Sequence, residues 1–549
     1  MIDKRDNDTE QRALMAILLS LVVFWTWSAF FGPKHQPPGP EDAPTAQVDP
    51  VPSVAPPPTP AVSDAPVPER TVDVQTSELV ATLSSNGGGL HGVVLPNHQA
   101  AYEVTPVWTR VKEMVQGETD GSWQPYGSDP GPEHLTTTDG VIMAAGAGDI
   151  EPGAWRIEGS GPWVATRTTA DGVRITKTWQ TTADPNLLQV DVRFENVGGA
   201  TWKGPLWVGS IDTFVGEASR YSNFSRPSGV ADGDLETLDD LSDAQEAPAA
   251  HAGPVSWFGV GDRYFLAAAI PDTPGWGQLT FQHLGDDHYG ALMVREAELA
   301  PGGVEQLSTR LYLGPKDLKR LKELGYDLDE AINLGFFGFF AHILLWLLQA
   351  FHGVVGNWGL AIILLTLVVK ACFWPLTRKS FVSGRKMQAL SPKLNDIREQ
   401  YKDDPQAAGQ AQMKLFAEEG VNPLSGCLPM LVQMPVWFAL YSVLLYTSDV
   451  YHAEFLYLKD LSSIDPLGAL PALVGTLMII QQRLTPMSPN MDPTQQKMMR
   501  LMPLVFVGFM FIFPSGLALY ILVNTVLSIV QMWLINRTIP LPVQQATAS

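Results

Sequence analysis

Residues 360–374 read LAIILLTLVVKACFW, and the fold turns on why a lysine, Lys370, stands inside so apolar a run. An ionisable side chain near the middle of a bilayer costs about 2.5–3.5 kcal/mol even on lenient insertion scales, so the position needs a reason. Trp358 and Arg378 bracket the run as interface anchors, placing Lys370 about 12 Å from the Arg378 edge at about 1.5 Å per helical residue. A lysine stem reaches only part of that distance by snorkelling. Thr366 lies one turn earlier on the same helical face, and two polar groups on one face predict a wet cavity rather than lipid contact.

Outward from this run, the apolar residues of the 549-residue chain are unevenly spread, gathering at 13–31 and in the C-terminal third. The first run ends in aromatic residues and lacks a small-x-small cleavage site, which predicts a retained anchor (1–32) rather than a removed signal. Lys4, Arg5 and Arg12 precede it and place the N-terminus in the cytoplasm. Further spans are expected at 355–376, 428–447, 467–483, 500–513 and 516–535. The last two share the Pro514-Ser515-Gly516 hairpin and fall short of about 20 residues, which implies a locally thinned bilayer. The apolar stretch at 331–353 is expected to lie along the outer leaflet as an interfacial helix, because a further span would invert everything after it. Charge agrees with this order. The loop 378–426 is rich in Lys and Arg, the loop 448–466 carries Lys459 alone against four acids, and Arg483, Lys497 and Arg500 mark the next loop as internal.

The net charge of −21 is localised, since residues 34–330 hold 42 Asp and Glu against 19 Lys and Arg. An acidic domain of this kind has no face for phosphate, so direct readout of nucleic acid is excluded. Residues 33–70 are too proline-rich to fold and read as an extended tether. Residues 71–330 alternate in short runs such as LLQVDVRFEN and EQLSTRLYLG, separated by Gly, Pro, Asp and Asn, which predicts a large all-β sandwich closing on a helix at 316–328. Cys372 and Cys427 are the two cysteines, both at cytoplasmic ends of expected spans, which makes a disulfide or metal site improbable. The histidines of the β region are scattered.

In the loop 378–426, Met387, Leu390, Leu394, Ile397 and Tyr401 form one narrow stripe, and a second helix from Pro405 to Glu419 offers Met413 and Phe416 to face it, predicting a helical hairpin. Polar residues recur in the later spans. Gln433 and Thr476 stand in two of them, and Asn524, Ser528 and Gln531 follow one stripe of the last, with Tyr520 and Thr525 near enough to join. Each alone is explained by interhelical hydrogen bonding, but with Lys370 they line a candidate hydrated groove. The chain contains no GxxxxGK[ST] loop, HExxH helix or GxSxG elbow, so no catalytic residue, cofactor or metal is expected.

The strings NPLSGCLPMLVQMPVWFALY (422–441), DPTQQKMMRLMP (492–503) and FPSGLALYILVN (513–524), with SNGGGL (85–90) and LYLGPK (311–316), resemble the YidC-type membrane protein insertases of the Gram-negative form. The resemblance implies a polytopic α-helical membrane protein of six transmembrane helices, five of them forming an insertase core at 354–537, plus a large periplasmic all-β sandwich. It implies a non-enzymatic insertase and chaperone for nascent inner-membrane proteins, acting alone or with the Sec translocon. Its groove opens to the cytoplasm and the lipid, with Lys370 as the basic residue, and a hydrophobic slide maps onto Trp437, Leu440, Phe506 and Phe509. Ribosome and targeting factors would meet the cytoplasmic loops 378–426 and 484–499, because the tail RTIPLPVQQATAS (537–549) has one base, Arg537. Relatives usually carry arginine where Lys370 stands, and lysine can lose its proton where arginine cannot. Two other classes fit less of the sequence: a polar-solute transporter, for which internal repeats are missing, and a membrane-tethered sandwich-domain binding module, which leaves Lys370 unexplained.

Overall fold

The computed structural model describes residues 69–538 apart from 101, 103, 108, 110–111, 113–123, 127–129, 136–139, 149–153, 214–225, 239–248, 285–287, 403, 422–427 and 485–492. The expected N-terminal anchor, nearly all of the tether and the tail, Cys427 and residues 485–492 of the loop 484–499 lie outside the described residues.

Short runs of alternating apolar residues become strands because period-2 patterning gives each strand one face to bury. In Leu187–Asn196, the residues Leu188, Val190, Val192 and Phe194 are all buried. Among the described residues, eighteen strands between 71 and 315 form two nine-stranded antiparallel sheets. One sheet centres on the long pair Trp202–Thr213 and His288–Leu299, in register from Trp202 with Leu299 to Thr213 with His288. The other centres on Val304–Pro315 between Phe265–Pro271 and Leu187–Asn196. Their inner faces share a core that includes Trp179, Phe194, Phe258, Phe265 and Phe281. The SNGGGL turn closes one part of it. Gly88 holds φ at 60°, and a Cβ there would overlap the Trp155 ring, over which the fully buried Lys177 ammonium also sits, 4.2 Å from the centroid, while donating to Met143 O (3.0 Å).

The strand Phe265–Pro271, sequence FLAAAIP, is buried throughout. Its unbroken apolar character is explained by cover on both faces. Ala267 and Ala269 point into the sandwich, while Leu266, Ala268 and Ile270 pack outward with Tyr312, Leu321, Leu328, Ile332 and Leu334. That outer layer runs without a break into the core of the apolar helices.

Among the described residues the α-helices are α1 (Leu318–Leu324), α2 (Gly338–Val355), α3 (Trp358–Ala389), α4 (Ser391–Gln400), α5 (Pro405–Glu418), α6 (Leu428–Tyr446), α7 (Ala469–Leu484), α8 (Pro493–Met510) and α9 (Ser515–Thr538). Asp317 caps α1 through the Arg320 amide. Among the described residues, α2, α3 and α9 are long and apolar enough to cross a membrane, and the apolar parts of α6, α7 and α8 are shorter. Of the six spans expected from sequence, two, α3 and α9, reach that length among the described residues, and the first, at 13–31, lies outside them. In addition, α2, expected to lie along the surface, has the length and composition of a span. It packs through Ala341, Leu344, Leu345 and Leu348 and leaves Phe339, Phe340 and Trp346 exposed.

Beyond the apolar part of α3, α4 and α5 pair around Leu390, Leu394, Phe416 and Val421, with Met387 and Leu415 against them. Met413, expected to face this pair, is instead 60% exposed. The small core needs only one residue per turn of α5, and Phe416 with Leu415 supplies it.

The segment 447–468 between α6 and α7 joins the sheets to the helices. Ser448 Oγ donates to Lys316 O (3.1 Å), His452 Nε2 lies 2.9 Å from Ala100 O, and Lys459 N donates to Tyr126 Oη (3.1 Å). On its other side Asn357 Nδ2, just before α3, donates to Glu454 O (3.0 Å). Asp465 closes the segment by accepting from the Leu467 and Leu470 amides at the start of α7.

Candidate functional site

Three helices bring the polar residues together because each carries them on the face it turns to its neighbours. From α3, Lys370 Nζ donates to Ser528 Oγ on α9 (2.8 Å). Ser528 Oγ in turn donates to Asn524 O one turn back (2.8 Å), so Lys370 and two members of the expected stripe form one chain of hydrogen bonds. From α6, Gln433 Nε2 donates to Tyr520 Oη on α9 (3.1 Å). Tyr520 is buried, and Gln433 and Lys370 are partly exposed.

Lys370 has no carboxylate partner among the described residues. Its one described bond goes to a neutral hydroxyl, which leaves an ammonium free to draw an external anion or dipole. Two further acceptors nearby in sequence are buried without a described partner, Asn524 Oδ1 and Gln531 Oε1. A buried acceptor without a donor costs free energy unless water or a guest supplies one, so this face of α9 is suited to a hydrated site.

The remaining polar candidates behave differently. Thr366 and Thr525 are buried and return their hydroxyls to Ile362 O and Ile521 O of their own helices (2.7 Å each). Thr476, on α7, does the same toward Ala472 O (2.9 Å) but is exposed, and no described bond joins it to the Lys370 chain.

The four apolar slide candidates also divide. Phe509 on α8 is 55% exposed, Phe506 is half-buried, and Trp437 is half-buried and stacked on Tyr441. Leu440 is 1% exposed and packs inside the helix core, so it offers no surface to a sliding segment. Sequence reasoning missed the exposed residues Leu501, Met502, Leu504 and Val505, which with Phe509 give α8 a broad apolar face. The signal was the i, i+4 spacing of Leu501, Val505 and Phe509. Met434 and Phe438 extend the exposed apolar surface on α6.

Among the described residues no group of three or more His, Cys, Asp or Glu is placed to hold a metal. The chemistry available here is non-covalent: one ammonium, several hydroxyls and amides, and apolar faces beside them.

Known proteins bear on this arrangement. The family pattern described as 60Kd inner membrane protein matches residues 350–542, and that of the YidC periplasmic domain matches 156–347. The protein named membrane protein insertase YidC from Geobacter sulfurreducens is 36% identical over 542 residues, covering 96% of this chain and 99% of its own. The one from Geobacter metallireducens is 34% identical over 554 residues, with the same coverage. A crystal structure titled as an active YidC insertase with the first transmembrane domain resolved is 19% identical, covers 84% of this chain and 92% of its own, and superposes with a TM-score of 0.35.

Proposed function

This chain belongs to the YidC family of membrane protein insertases, inner-membrane proteins with a periplasmic domain and no enzymatic activity, and we propose that it inserts its clients through the polar strip centred on Lys370. The observation that carries this reading is the Lys370–Ser528–Asn524 chain, with a lysine in the apolar part of α3 that has no carboxylate partner among the described residues. A nascent membrane protein must move a polar flank across the bilayer before its apolar helix can partition into lipid. Partition of about 20 apolar residues is strongly favourable, so the polar flank sets the barrier. A hydrated, positively charged strip lowers that barrier for acidic or polar flanks. The exposed faces of α8 and α6, with Phe509, Phe506 and Trp437, then offer the apolar helix a route into lipid, without a part for Leu440.

Contacts support the orientation in this reading. The segment 447–468 touches the β-domain at Lys316, Ala100 and Tyr126, and the start of α3 at Asn357. In this reading the N-terminal end of α3 is on the periplasmic side, supported by those contacts, and α2, which follows the β-domain and precedes α3, lies along the outer leaflet despite its length. With α3, α6, α7, α8 and α9 as spans and 13–31 as an anchor, the count is six, both termini are cytoplasmic, and the α4–α5 hairpin is cytoplasmic. Ribosome and targeting factors would meet that hairpin, and the Sec translocon and a folding role remain within this reading.

Insertion of a small client with an acidic external segment into liposomes holding only the full-length protein tests the reading. Lys370→Ala is expected to lower the inserted fraction at least several-fold, and Lys370→Arg to retain it. Equal insertion by wild type, Lys370→Ala and Lys370→Gln would remove the charge from the mechanism.

A further inference from the structure

In the segment 447–468, Phe455 N donates to Leu458 O (2.9 Å) and Leu458 N to Phe455 O (3.0 Å), closing a tight turn with Leu456 and Tyr457 at its corner. Leu456 holds φ at 56°, a left-handed conformation that glycine or asparagine takes readily and leucine takes against steric resistance. The other three residues are tied in. Phe455 lies against Gly359 at the start of α3, where an added Cβ would overlap its ring. Tyr457 Oη donates to Asp465 Oδ2 (2.8 Å), and Leu458 is buried. Leu456 points out and is 86% exposed, against 37% for Tyr457. Val354, near the end of α2, is 82% exposed. Asn357 holds the turn beside that helix end through Glu454 O. Leu360, Leu367 and Val368 continue an exposed apolar surface down α3.

We propose that Leu456 and Val354 form an anchor inserted into the outer leaflet, at the boundary between headgroups and acyl chains. The occupant is lipid because both residues stand where an apolar span begins: Phe455 packs on Gly359 at the start of α3, Asn357 bonds Glu454, the residue before Phe455, and Val354 precedes Asn357 by three positions. This inference rests on the reading of α3 as a span whose N-terminal end is periplasmic. Burial in acyl chains gives the exposed leucine a favourable environment that nothing among the described residues supplies, which offsets the strain of the position. A fixed depth for this turn also fixes the depth of Lys370, about 18 Å along α3 from Trp358 at about 1.5 Å per residue.

Nitroxide labels test it in the full-length protein carrying Cys372→Ser and Cys427→Ser, reconstituted in phosphatidylethanolamine and phosphatidylglycerol vesicles. Single labels at Leu456→Cys and Val354→Cys are compared with Leu367→Cys on the span and Lys203→Cys on the β-domain. Molecular oxygen should relax the labels at 456, 354 and 367 more than an aqueous nickel chelate does, with the reverse at 203. Nickel-dominated relaxation at 456 beside oxygen-dominated relaxation at 367 overturns the anchor and leaves the span standing. Shielding of 456 from both reagents points to a protein contact and equally overturns it. Nickel-dominated relaxation at 367 overturns the span reading itself.

Discussion

Tyr451 donates its phenolic hydrogen to Glu133 Oε2 over 3.1 Å, joining residues 318 positions apart and tying the segment between two apolar helices to the edge of the β-domain. Tyr451 also packs against Tyr264, with ring centroids 4.5 Å apart, and against Phe265. A polar bond inside an aromatic cluster is insulated from water, so the state of Glu133 governs how firmly the two parts hold.

Burial, with Asp262 beside it, pushes Glu133 up to about 7 from its ordinary 4.5. A carboxyl raised on folding holds its proton in the folded state over that interval. Its contribution to docking is therefore fully present below about 4.5 and is lost as pH rises through about 7. Amide protection factors across 448–466, which correct exchange for its intrinsic base-catalysed pH dependence, should be higher at pH 5.5 than at pH 8, and Glu133→Gln should remove most of that difference. An unchanged difference in the variant would assign the pH response to another group.

The SNGGGL turn should be intolerant of a single methyl group. Gly88→Ala places a Cβ in the Trp155 ring at a φ of 60°. Overpacking together with left-handed strain should cost about 3 kcal/mol or more. Thermal unfolding of the β-domain signal in the full-length protein, followed by near-ultraviolet circular dichroism, measures it.

Leu440 and Phe509 should respond oppositely. Leu440→Ala opens a cavity in the helix core and should destabilise by about 2–5 kcal/mol. Phe509→Ala removes an exposed ring and should leave stability in detergent within about 0.5 kcal/mol while lowering client insertion. Comparable melting shifts for both would place Phe509 inside the core as well.

Ser528→Ala removes the described acceptor of the Lys370 ammonium without removing the charge. Insertion should fall less than in Lys370→Ala, because the charge that meets the client remains. A loss as large as that of Lys370→Ala would mean that the position of the ammonium matters as much as its presence.

The sequence by itself determined which segments are apolar, which carry period-2 alternation and where the odd polar residues stand, because these are properties of neighbours along one chain. Lys370 was conspicuous for that reason, and the stripe Asn524, Ser528 and Gln531 follows from helical spacing alone. The α4–α5 stripe through Leu390 and Leu394 is legible in the same way. What the sequence could not supply is the choice among helix faces. Leu440 and Phe509 have the same apolar character, yet one is enclosed by α2, α3 and α9 and the other is left outside, and Met413 loses to Phe416 for the same reason. The pairing of Tyr451 with Glu133, the packing of Phe455 on Gly359 that sets out the strained Leu456, and the bond from Lys370 to Ser528 depend on contacts between distant segments. Only the tertiary structure decides them, since burial is set by what packs across the gap and not by the residue's own chemistry.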